Sequence, residues 1–119
     1  MTKKSEVLLE AIVRGADDRL AQDIVALDVA NVTPVADYFV MMSGRNDRQV
    51  KAIVDAVEEA IEEAGFEVKG IEGKDGNRWI LIDAYDVIVH VFTSEERGFY
   101  NLEKMWAEAP MVNVEAWLS

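Results

Sequence analysis

The chain has 119 residues, half of them apolar and 29% charged, with no cysteine. That suits one globular domain able to bury roughly two thirds of its unfolded surface, and it excludes disulfide frameworks, thiol nucleophiles and thiolate zinc sites. Against 12 basic residues stand 23 acidic ones, a formal net charge of −11, so phosphate neutralisation is disfavoured, direct specific nucleic-acid binding is not expected, and a basic protein partner is attracted instead.

The plain alternative is that the acidity only keeps the protein soluble. No apolar stretch approaches a membrane span, and Met1 to Glu6 leads into an amphipathic pattern without a signal-peptide core. A cytoplasmic protein without membrane association is expected.

The first predicted element is a helix over Ser5–Arg19, with Ser5 as N-cap, Val7, Leu8, Ala11 and Ile12 as its apolar stripe, and Gly15 weakening its end. A strand follows over Asp23–Val29, with Val25, Leu27 and Val29 on one face. Pro34 bars a continuous ladder before a second strand, Tyr38–Met42. Ser43 to Asp47 turns the chain into the most regular helix. There Val50, Ile53, Val54, Val57 and Ile61 fall at helical spacing, and Gly65 ends the run. A short strand over Glu67–Ile71 and a turn at Gly73–Asn77 lead into Trp79–Phe92. This stretch reads as two apolar strands joined antiparallel by Asp83-Ala84-Tyr85-Asp86. A final helix over Glu95–Ala107 is predicted. The order suits an α+β or mixed α/β fold, a single mixed sheet flanked by helices in one domain over residues 1–109, followed by an apolar tail, 110–119.

Candidate chemistry is sparse. His90, the only histidine, sits mid-strand on the face of Ile88 and Phe92, where a packed, hydrogen-bonded role outweighs a catalytic one. Ser43 and Ser94 lack a nucleophile-elbow setting. Asp83 and Asp86 fit turn-stabilising side chains better than a metal pair, so no metal site is assigned. Ser43-Gly44 before a helix is similar to the phosphate cradle of a nucleotidyltransferase, but with its order reversed and no alternating carboxylate pair on the neighbouring strand. Trp79, beside Arg78, is either a core anchor or an exposed contact residue.

The motifs Ala36-Asp37-Tyr38-Phe39-Val40, Ser43-Gly44, Asp47-Arg48-Gln49-Val50, Glu72-Gly73, Trp79 to Asp83, Asp86 to Phe92, Glu96-Arg97, Tyr100 and Leu102 to Trp106 resemble those of the ribosomal silencing factor family, also called RsfS or Iojap-like proteins. The resemblance implies a non-enzymatic translation repressor without cofactor, with a fold similar to the nucleotidyltransferase core. It implies binding to the large ribosomal subunit through its L-fourteen protein, a block on subunit association, and homodimers. The pair Trp79-Ile80 corresponds to the family's partner contact. Glu72, Asp83 and Asp86 suit basic residues of the partner on electrostatic grounds, and Tyr85, where the family commonly has Gly, either widens the turn or joins the interface. Thr93-Ser94 also departs from the family's His-Pro. The alternatives are a nucleotidyltransferase-fold enzyme or a dimeric adaptor for another basic protein.

Overall fold

The computed structural model describes residues 4–74, 78–95 and 109–118. Aliphatic side chains at Leu8, Leu9, Ile12, Val13 and Ala16 recur at helical spacing and are all buried, which fixes the first helix, α1, over Lys4–Asp18. The stripe is rotated by one residue from the sequence expectation. Val7 is exposed, and Ala11 lies at the margin, because the bulkier Leu9 and Val13 take the inward positions. Ser5 is buried inside the helix, one residue past its first position, and is not its cap.

The C-terminal end of α1 is closed by a left-handed residue, Leu20 (φ 62°). The Ala21 N–H donates to the Ala16 carbonyl at 3.1 Å and the Leu20 N–H to that of Asp17 at 2.9 Å, satisfying carbonyls the helix leaves open. Gly15 lies inside the helix, three residues before its last. It faces the second helix, α2 (Asp47–Glu63), where a Cβ at position 15 would stand 2.8 Å from the Ala60 Cβ and 3.2 Å from the Ala56 carbonyl oxygen. Glycine here permits close helix approach.

Helix α2 buries Val50, Ile53, Val54, Val57 and Ile61, as their spacing predicts. Asn46 caps it, its Oδ1 accepting the Gln49 N–H at 2.9 Å. The Gln49 amide also ties the helices together: its Oε1 accepts the Arg45 N–H, and its Nε2 donates to the carbonyls of Arg19 and Leu20. Gly65 (φ 89°) follows the last turn, with the Phe66 N–H donating to Ile61 and the Gly65 N–H to Glu62.

The strands are β1 (Gln22–Asp28), β2 (Tyr38–Gly44), β3 (Gly70–Lys74), β4 (Trp79–Asp83), β5 (Val87–Thr93) and β6 (Met111–Val112). They form one mixed sheet ordered β3-β4-β5-β2-β1-β6. β2 and β5 lie parallel at its centre, from Tyr38 opposite Val87 to Gly44 opposite Thr93, and the other pairings are antiparallel. Every residue of β2 is buried, as a strand covered on both faces requires.

β3 begins three residues later than the sequence suggests. The partner decides this: Gly70 pairs with Asp83 and Lys74 with Trp79, so the whole of β4 is matched. Phe66 and Val68, just before it, pack against the helix-side core. Gly73 and Lys74, read as turn, belong to this strand. The rest of that turn, 75–77, and the predicted last helix beyond Glu95 lie outside the described residues.

Both helices pack on one sheet face with Ala26, Val40, Met42, Ile80, Ile82, Val87, Val89 and Val91. The other face gathers Leu27, Val29, Phe39, Met41, Ile88 and Phe92, with Val25, Trp79 and Leu81 packed against them. Val25, Leu27 and Val29 thus share a side as expected. The chain ends by adding β6 to the sheet: Met111 and Val112 pair with Leu27 and Ala26, and a 3-10 turn over Glu115–Trp117 sets Trp117 against the helix-side core.

Because Gly15 lies against Ala56 and Ala60, Gly15→Leu is expected to lower stability by about 2 kcal/mol through overpacking. The check is a urea titration, and an unshifted midpoint would refute the close approach.

Candidate functional site on the hairpin face

Alternation along β4 sends Trp79, Leu81 and Asp83 to the side away from the helices and Ile80 and Ile82 to the helix side. Residues opposed in a ladder share a face, so three rows cross this corner of the sheet. Trp79 and Phe92 form the first, Glu72, Leu81 and His90 the second, and Gly70, Asp83 and Ile88 the third.

Of the sequence-predicted contact residues, Trp79, Glu72 and Asp83 therefore come together on one face. Trp79 and Asp83 are part-buried there, and Glu72 is exposed on the edge strand. Ile80 does not join them: it is 5% exposed and belongs to the helix-side core. Tyr85 and Asp86 sit at the turn, roughly 20 Å along the strand direction from Trp79, and both are exposed. Leu81, part-buried between Trp79 and Asp83, was missed. The period of two starting from Trp79 was the signal that marks it.

Trp79 is held by aromatic neighbours and one polar bond. Its indole Nε1–H donates to His90 Nδ1 at 3.2 Å. Its ring lies 5.0 Å from that of Phe92, tilted by 34°. His90 stacks on Phe92 at 6.0 Å with 14° between planes and meets Phe39 edge-on at 6.3 Å. Burial lowers the His90 pKa to about 4, since an imidazolium loses its hydration there. The side chain is neutral at pH 7, and because an indole N–H can only donate, Nδ1 carries the lone pair and Nε2 the proton.

The turn is built by its acidic residues. Asp83 Oδ1 accepts the Tyr85 N–H at 2.9 Å, an Asx turn, and the Ala84 N–H donates to the Val87 carbonyl at 3.0 Å. The Asp86 carbonyl accepts from the Asp37 and Tyr38 N–H groups, tying the turn to the start of β2. Tyr85 has φ 69°, a left-handed conformation that a glycine adopts without cost. The turn thus keeps a glycine-type backbone under a tyrosine side chain. That ring is 53% exposed, with the Lys69 ammonium 6.0 Å from its centroid.

Ser43 and Gly44, read as part of a turn, are the last two residues of β2 and are tightly packed. Ser43 is 1% exposed, and a Cβ at Gly44 would stand 3.1 Å from both the Val50 nitrogen and its Cγ2. The capping bond from Asn46 already occupies the Gln49 N–H, one of the first-turn donors that would otherwise meet an anion. Among the described residues no group of three carboxylate or imidazole side chains gathers as a metal site would require, and no helix is long and apolar enough to cross a membrane.

The family model described as "Ribosomal silencing factor during starvation" matches residues 2–118. The chain belongs to the RsfS family. It is 44% identical over 115 residues to the ribosomal silencing factor RsfS of Bacillus subtilis, covering 97% of this chain and 96% of that one. A more distant relative is the mouse protein named for mitochondrial assembly of the ribosomal large subunit, 33% identical over 90 residues that cover 72% of this chain and 39% of the mouse protein. A crystal structure of a Chromobacterium violaceum protein superposes with a TM-score of 0.82 at 33% identity, covering 89% of this chain and 88% of that one. One from Bacillus halodurans gives 0.80 at 40% identity, covering 91% and 98%. The family match reaches past the motifs that carry the resemblance and takes in β6 and the terminal 3-10 turn.

Two outcomes follow from this RsfS hairpin. Tyr85→Gly, which relieves the left-handed backbone, is expected to raise stability by about 1 kcal/mol in thermal or urea unfolding. A loss instead would mean that the ring over Lys69 outweighs the strain. For His90, the folded pKa lies below the unfolded value, so the unfolded chain binds more protons between the two. Stability therefore falls as pH drops from about 6.5 toward 4, by about 2 kcal/mol between pH 7 and pH 5. His90→Asn should flatten that part of the stability profile, and an unchanged slope would assign it to carboxylates.

Proposed function

We propose that this RsfS-family protein represses translation by binding the large ribosomal subunit through its L-fourteen protein and blocking association with the small subunit. It acts in the cytoplasm as a homodimer, without catalysis, cofactor or direct nucleic-acid recognition. The observation that carries the reading is the position of Trp79: a part-buried indole on the sheet face away from the helices, with Leu81 and Asp83 beside it and Glu72 on the adjoining edge strand. An aromatic anchor bordered by acidic groups is the arrangement that a basic protein partner takes up. Tyr85 and Asp86 extend the contact to the turn, and Ile80, buried beneath Trp79's strand, supports it from the core rather than touching the partner. The name of the mouse relative, which speaks of the large ribosomal subunit, is in keeping with this partner. The packed end of β2 at Gly44 and the capped α2 favour binding over phosphoryl chemistry.

Trp79→Ala is expected to weaken binding to isolated large subunits by about 2 kcal/mol or more, roughly thirty-fold, and to relieve the block on subunit joining. Circular dichroism on the same sample verifies the fold. Raising salt should slow association of the unmutated protein, because the attraction between its acidic surface and a basic partner is screened. A folded Trp79→Ala protein that binds and blocks joining with unchanged affinity would place the contact elsewhere.

A further inference from the structure

We infer that His90 is a positioning residue for the partner contact: it accepts the Trp79 indole N–H from within the sheet, so that the partner meets an indole already fixed in orientation and already satisfied in its hydrogen bonding. This rests on the reading of Trp79 as the anchor of the large-subunit interface.

The geometry carries it. Trp79 and His90 lie on neighbouring strands but not directly opposite. Trp79 faces Phe92 and His90 faces Leu81, so the Nε1–Nδ1 bond of 3.2 Å runs on the diagonal across the ladder. On that diagonal the histidine acts as a stop that lays the indole over Phe92, the two rings 5.0 Å apart. His90 is itself fixed between Phe92, stacked at 14°, and Phe39, edge-on at 81°. Packing against these two rings holds its rotamer.

The chemistry gives the bond its purpose. An indole at the centre of an interface loses its water on binding, and an N–H then left unpaired costs affinity. A donor directed back into the sheet spares the partner the need to supply an acceptor, so recognition depends on the ring and on the surrounding charge. Fixing the ring beforehand also removes ordering cost from the binding step. An aliphatic side chain at position 90 would fill the space between Phe39 and Phe92 but would give the indole nothing to bond. The histidine is therefore specified by its acceptor.

The test uses the full chain and isolated large ribosomal subunits. His90→Leu is expected to weaken binding about tenfold, the effect of one stranded donor, and His90→Gln, which does not place an acceptor at the Nδ1 position, to behave alike should the leucine variant fail to fold. His90→Asn, whose side-chain oxygen reaches the Nδ1 position, should bind within about threefold of the unmutated protein. In the free protein the Trp79 indole N–H resonance, identified by its loss in Trp79→Phe, should exchange with solvent faster in His90→Leu and not in His90→Asn. In the Trp79→Ala background His90→Leu should bring no further loss, because the histidine acts through the indole. Additive losses, or a folded His90→Leu with unweakened binding and unchanged exchange while Trp79→Ala binds poorly, would overturn the positioning role alone. Unweakened binding by Trp79→Ala would overturn the interface beneath it.

Discussion

The parallel pairing of β2 with β5 is the constraint on which the rest of the molecule depends. Parallel neighbours cannot be joined by a tight turn, so the chain between Gly44 and Val87 must cross over, and α2, β3 and β4 are all built within that crossover. Both central strands are buried on two faces, which explains their near-continuous apolar sequences. Helix α2 closes one face together with α1. The same crossover delivers β4 to the far side of β5, and the β4-β5 ladder then decides which side chains reach the opposite face. The RsfS contact proposed above is thus a consequence of topology: Trp79 points away from the helices because Ile80 and Ile82 are needed beneath them.

Elements whose identity depends on their own sequence were legible in it. Helix α2 carries its apolar spacing and its Gly65 stop within one segment, and the β4-β5 hairpin carries two apolar runs about an acidic turn. The faces of β1 were readable from Val25, Leu27 and Val29. What the sequence did not disclose depends on partners distant along the chain. The start of β3 is fixed by the register of β4, while Phe66 and Val68, just before it, pack against the helix-side core. Gly15 looked like a helix weakness because its reason lies 45 residues away, at Ala60.

The candidate site divides along the same line. Trp79, Glu72, Asp83, Tyr85 and Asp86 are proposed from residue type and family pattern. That Trp79 and Ile80 face opposite ways is simple alternation, yet a pairwise motif hides it. The bond between Trp79 and His90 was beyond reach, because a diagonal contact needs both the register and the rotamers of two strands. Tyr85 shows the limit of reading a departure from a motif: its left-handed backbone is visible only in the structure.

The central pairing also has a consequence for synthesis. β1 and β2 are consecutive and antiparallel, so they can pair as soon as both have left the ribosome. The other edge of β2 then has to wait for Val87–Thr93, with more than forty residues still to be made. Throughout that interval the nascent chain carries an unpaired apolar strand edge, the kind of surface that joins with a second chain. Strand β2 is guarded meanwhile only by what lies on its faces, and α1 and α2, both complete before β3 begins, are the elements on hand to cover one of them. A protein of this family thus passes its own period of greatest aggregation risk beside the very particle whose assembly it is proposed to restrain.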